Sequence, residues 1–151
     1  MSINLVIIVN LNILYYIKPI MKNIKFKLLK YSYYFSLGSL FILYLFPGSL
    51  IGYFLYGNLA QQPDLIPNPI GTSINHLISF IFLSSLAFIV RVRGKKFINS
   101  FKFLFFTSIL LELFHYFIPN RAFEYYDLFA NFTGVILAYL FIQLILKIKT
   151  R

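Results

Sequence analysis

Glu112-Leu-Phe-His115-Tyr-Phe-Ile-Pro119-Asn-Arg121-Ala-Phe-Glu124-Tyr-Tyr-Asp127-Leu-Phe-Ala-Asn131-Phe-Thr-Gly134 is the stretch that decides how this chain is read. It holds three of the four acidic residues and one of the two histidines, and it joins two long apolar runs. A carboxylate costs little on a wetted surface and much in hydrocarbon. Ionisable groups at membrane depth therefore face a bundle interior, a wet cavity or a partner, and they mark functional sites by default. A chain that keeps its acids almost entirely here points to a site here.

Outward from that stretch, the 151 residues are 60% hydrophobic and 12% charged. Soluble domains run at about 45–50% apolar and about 25% charged, so the chain reads as an integral membrane protein. The apolar runs are too long for the strands of a small barrel, which need about 9–11 residues. The expected fold class is therefore all-α, a polytopic membrane helical bundle. Four transmembrane helices are read at about 35–56, 73–90, 101–118 and 127–148. They form one membrane domain over 33–151, behind an N-terminal extension and basic collar over 1–32. Pro47-Gly48 interrupts the first span and predicts a kink or re-entrant turn, with the remainder leaning over the end of the bundle. The segment INLVIIVNLNILYYI (3–17) is short of the roughly 20 residues a span needs. It reads either as an extra N-terminal interfacial helix or as an extension ahead of a natural start at Met21.

The net charge is +10. In a soluble protein that would suggest nucleic acid. Here the bases stand in short runs beside apolar spans: Lys22, Lys25, Lys27 and Lys30; Arg91, Arg93, Lys95, Lys96 and Lys102; and Lys147, Lys149 and Arg151. This is the signature of topology, so no nucleic-acid partner is expected and membrane lipids are. The loop 57–72 has Asp64 and the prolines Pro63, Pro67 and Pro69, but no Lys or Arg. The positive-inside rule then puts both ends in the cytoplasm and makes the chain multi-pass in the cell inner (cytoplasmic) membrane. The absence of cysteine excludes disulfides, thiolate metal sites and a cysteine nucleophile.

That topology gathers the polar residues at one end. His76 opens the second span. Glu112 and His115, spaced i, i+3, share a face near the end of the third. Arg121 sits on the link, and its planar fork suits carboxylate or phosphate. Asp127, Asn131 and Gly134 form one stripe on the fourth span. Gly134 lets another helix approach closely.

The pieces Asn75-His76-Leu-Ile-Ser-Phe80, Glu112-Leu-Phe-His115, Pro119-Asn-Arg121 and Asp127-Leu-Phe-Ala-Asn131-Phe-Thr-Gly134, in this order, resemble the VanZ-like family of small membrane proteins. The resemblance covers about 38–147. It departs at His115, where the family usually has glutamine, and at Thr72-Ser73, where it often has Asp-Lys. The family's named member is associated with low-level resistance to the glycopeptide teicoplanin. The resemblance thus implies an envelope-related role, binding a lipid or cell-wall precursor.

The same residues admit other readings. The polar residues could hold the helices in register, although intramembrane polar contacts average only about 0.6 kcal/mol. A membrane-embedded enzyme could use His76, Glu112 and Asp127 as catalytic groups, with Glu112 and His76 as acid and base on a lipid-linked substrate. Arg121, Asn131 and His115 would then bind the ligand. Glu112-x-x-His115 has the spacing of carboxylate bundle metal sites, but the motif occurs once where di-metal bundles repeat it. No metal and no cofactor are therefore expected.

Overall fold

The computed structural model describes the backbone of residues 3–63, 71–91 and 96–149, and the side chains of 23–63, 73–91 and 96–148. Asp64, Pro67, Pro69, Arg93, Lys95 and Arg151, and the side chains of Lys22 and Lys149, lie outside the described residues. Among the described residues all regular structure is helical. The elements are α1 (Ile3–Leu45), α2 (Leu50–Tyr56), α3 (Gly71–Arg91), a 3-10 turn at Phe97–Asn99, α4 (Phe101–Phe114) and α5 (Tyr125–Lys149). The backbone of 3–17 runs into α1 without a break, so no separate interfacial helix is set off there.

Each long helix buries a single stripe. On α1 it is Tyr33, Leu37, Leu40 and Tyr44; on α4 it is Leu104, Thr107, Ser108, Leu111 and Glu112; on α5 it is Asp127, Asn131, Gly134, Val135 and Ala138. Steps of three and four residues put each set on one helical face. The Tyr33 hydroxyl donates to the Ile98 carbonyl and ties α1 to the turn ahead of α4. The outward faces are apolar: Phe35 is 77% exposed, Phe82 58% and Phe141 60%. Polar side chains inside and aromatic rings outside suit lipid as solvent. By length and composition, α3 and α5 can each cross a membrane, and the pair α1–α2 adds a third if it is one broken span.

The break falls at the expected place. α1 stops at Leu45, and α2 turns away by 82°. Gly48 takes φ +92°, open to glycine and strained for other residues. A Cβ there would also lie 2.8 Å from the Leu59 carbonyl. Ser49 donates its N–H to that same carbonyl at 2.6 Å and caps α2 by accepting from Gly52 N–H at 2.9 Å. The Ser49 N–H freed by the break is thus satisfied by the chain that folds back over it.

α4 is shorter than the expected 101–118. Its start is capped by Ser100, whose hydroxyl accepts from Phe103 N–H at 3.2 Å. Its end tightens at His115, Tyr116 and Phe117, whose N–H groups each bond to the carbonyl three residues back. Pro119 disfavours helical geometry at the residue before it, and the chain closes with 3-10 bonds instead. Fourteen residues give about 21 Å of helix at about 1.5 Å per residue.

The contact that sets the site is α3 against α5. Gly134 meets Leu77, Phe80 and Ile81 so closely that an added Cβ would sit 2.8 Å from the Leu77 carbonyl. This close approach brings the first turns of α3 and α5 side by side.

Candidate functional site

Four helix ends meet at one point: the first turns of α3 and α5 and the last turns of α1 and α4. They deliver Ser73 and His76, Asp127 and Asn131, Tyr44, and Glu112 with His115. Glu112 and Asn131 are completely buried, His115, Asp127 and Tyr44 nearly so, and His76 is half-buried.

The hydrogen bonds fix which atom faces which. Asn131 Nδ2 lies 3.4 Å from both the Ser108 carbonyl and Glu112 Oε2, so it donates, and Asn131 Oδ1 is left to accept. It accepts the Tyr44 hydroxyl proton at 2.7 Å. Tyr44 has only that proton. The 2.6 Å contact between its oxygen and His76 Nδ1 is therefore made by His76 Nδ1–H as donor. That leaves His76 Nε2 aimed at Asp127 Oδ2, 3.5 Å away. The other Asp127 oxygen accepts the Ser73 hydroxyl at 2.6 Å.

His115 is bound on both sides by acceptors. Its Nδ1 is 3.2 Å from Glu112 Oε1 and its Nε2 is 3.2 Å from the Tyr44 carbonyl. Glu112 Oε1 also accepts the Glu124 backbone N–H at 3.1 Å.

Arg121 does not join the acids. Its guanidinium donates to the carbonyls of Leu43 at 2.6 Å and Phe46 at 3.4 Å, at the broken end of α1. Among the described residues it makes no ion pair. Partial burial pulls its pKa below the ordinary value, because desolvation disfavours the charged form. Glu124, beside it on the link, is exposed, and desolvation together with the nearby acids pushes its carboxyl up.

A cavity of about 480 Å³ opens beside the cluster. Arg121 and His76 lie on its wall together with Tyr44, Asn75 and the apolar side chains Leu50, Ile51 and Ile78. Glu112 and Asp127 stand behind that wall rather than on it. Of the residues expected at the site, His76, Glu112, His115, Asp127 and Asn131 share one bonded network, and Arg121 reaches the cavity from its rim. Tyr44 was not expected there, yet it bonds three helices. The signal for it was a lone tyrosine within the apolar run 35–52, seven residues beyond Leu37 on its own stripe.

No family model, no curated protein and no solved structure matches this chain.

Proposed function

We propose that this chain is a four-span protein of the inner (cytoplasmic) membrane, of VanZ-like type. Its polar cluster lies at the extracytoplasmic end, and it binds the anionic head of an amphiphile such as a lipid or cell-wall precursor. Both ends are cytoplasmic in this reading, with α1–α2 as the broken first span and α4 crossing with the help of its 3-10 end. An envelope role of the kind that confers glycopeptide (teicoplanin) resistance follows from the resemblance.

The observation that carries the binding reading is Arg121 on the rim of the 480 Å³ cavity. A partly buried guanidinium that meets no carboxylate among the described residues is open to an outside anion, and its fork suits phosphate or carboxylate. The apolar remainder of the wall suits a chain attached to that head. Pockets of this size, largely apolar with a few convergent polar groups, are the usual form of small-molecule sites.

The experiment is lipid extraction from protein purified in mild detergent, followed by mass spectrometry. An anionic amphiphile enriched over the bulk membrane is expected with the native protein. Arg121→Lys keeps the charge and loses the fork, so it should reduce that enrichment about tenfold, the equivalent of about 1.4 kcal/mol. Bulk-lipid composition in both preparations would overturn the reading.

A further inference from the structure

We propose that His76, Glu112 and Asp127 form a binding site for a divalent first-row metal ion, Zn²⁺ or Mn²⁺. This goes beyond the cavity reading and does not rest on it. The three residues come from α3, α4 and α5, and one ligand atom from each lies within 4.8 Å of the others. His115, which the sequence spacing paired with Glu112, is not in the set.

Each of the three side chains is held through one of its heteroatoms. His76 has Nδ1 engaged by Tyr44 at 2.6 Å and by Asn131 Oδ1 at 3.2 Å, which leaves Nε2 free. Asp127 has Oδ1 engaged by Ser73 at 2.6 Å, which leaves Oδ2. Glu112 has Oε1 engaged by Glu124 N–H and His115, which leaves Oε2 with a long 3.4 Å contact from Asn131 and with His76 Nδ1 4.0 Å away. In all three, one heteroatom is tied to a neighbour and another is left to meet an ion, within a set of ligand atoms that spans no more than 4.8 Å. Metal-binding histidines and carboxylates are oriented in this way, with the second ring N–H of the histidine donated to a neighbouring acceptor.

Spacing and charge agree with this. Two ligands at about 2.1 Å from a tetrahedral ion stand about 3.4 Å apart, and His76 Nε2 is 3.5 Å from Asp127 Oδ2. Neither atom needs to move for that edge. Buried carboxylates require compensating positive charge, and Arg121 is turned to the α1 carbonyls instead. One imidazole nitrogen and two carboxylate oxygens, with no cysteine in the chain, select borderline-to-hard divalent ions over soft ones.

The test uses full-length protein without a polyhistidine tag, stripped with chelator in detergent and titrated with ZnCl₂ or MnCl₂ alone. One equivalent is expected to bind at micromolar concentration. Asp127→Asn and His76→Gln should each weaken it at least tenfold. Ser73→Ala touches no ligand atom and removes only the hydroxyl that orients Asp127; it should weaken binding about 10–100-fold. Arg121→Lys should leave metal uptake unchanged even where it empties the cavity of amphiphile, which separates the two readings. X-ray absorption of the zinc-loaded native protein needs no variant to fold, and should read one imidazole among oxygen ligands. Absence of stoichiometric metal, affinity unchanged in both ligand variants, or a spectrum with two or more imidazoles would overturn the proposal.

Discussion

Gly134→Ala is the sharpest test of the packing that builds the site. The added Cβ would lie 2.8 Å from the Leu77 carbonyl oxygen, 2.9 Å from Phe80 Cβ and 3.1 Å from Ile81 N. Ordinary contacts between such atoms are about 3.5–4.0 Å. All three belong to the α3 backbone or its first side-chain atom, so no rotamer change relieves them and α3 must move as a body. Overpacking of this kind costs about 1–3 kcal/mol. Replacing glycine with alanine inside a helix returns about 0.5–1 kcal/mol. The net loss is therefore about 1 kcal/mol, within a span of about 0–2.5 kcal/mol, and the displacement also reaches His76, the neighbour of Leu77. Gly38 supplies the control, because nothing lies within 4 Å of a Cβ added there. Gly38→Ala keeps the helix gain without the clash, so it should stabilise by about 0.5–1 kcal/mol. Thermal unfolding in detergent, followed by circular dichroism, reads both variants. Opposite signs are expected. Gly134→Ala melting at or above the native protein would refute the close approach of α3 and α5.

Two further changes test the network. Tyr44→Phe removes the hydroxyl between Asn131 Oδ1 and His76 Nδ1, leaves their direct 3.2 Å contact and should cost about 0.5–1.5 kcal/mol; a melting temperature equal to the native value would mean that Tyr44 does not join α1 to α3 and α5. Glu112→Gln keeps an acceptor for Glu124 N–H and should cost about 1–3 kcal/mol, whereas Glu112→Leu strands His115, Asn131 and the Glu124 amide together and should cost about 3–5 kcal/mol. The order of the two Glu112 variants in thermal unfolding is the measurement, and the leucine variant melting higher would show that the network is not holding the helix ends.

Several features were legible because they follow from local chemistry. The all-helical class came from apolar runs too long for strands. The 82° turn between α1 and α2 was announced by Pro47-Gly48, since proline removes a donor and glycine accepts φ +92°. Gly134 was legible as a place of helix contact because it continues the Asp127–Asn131 stripe at the right spacing. The end of α4 was not, since the apolar pattern runs on to Ile118 while the hydrogen bonding tightens from His115. Arg121 was legible as a fork for carboxylate or phosphate on the link, but its bonds to the carbonyls left open by the break in α1 were not.

The order of polar residues along the chain, and their confinement to one end of its helices, were decided by sequence alone, because hydrocarbon tolerates such groups only where they can be gathered. Which atoms face each other was decided by tertiary structure. Helical spacing places Asp127 and Asn131 on one side of one helix, but it says nothing about the azimuth of α3. The Gly134 contact sets that azimuth, and with it whether His76 Nε2 meets a carboxylate, because a hydrogen bond or a metal bond is made over a few ångströms and a helix can rotate that far without altering any pattern along its own sequence.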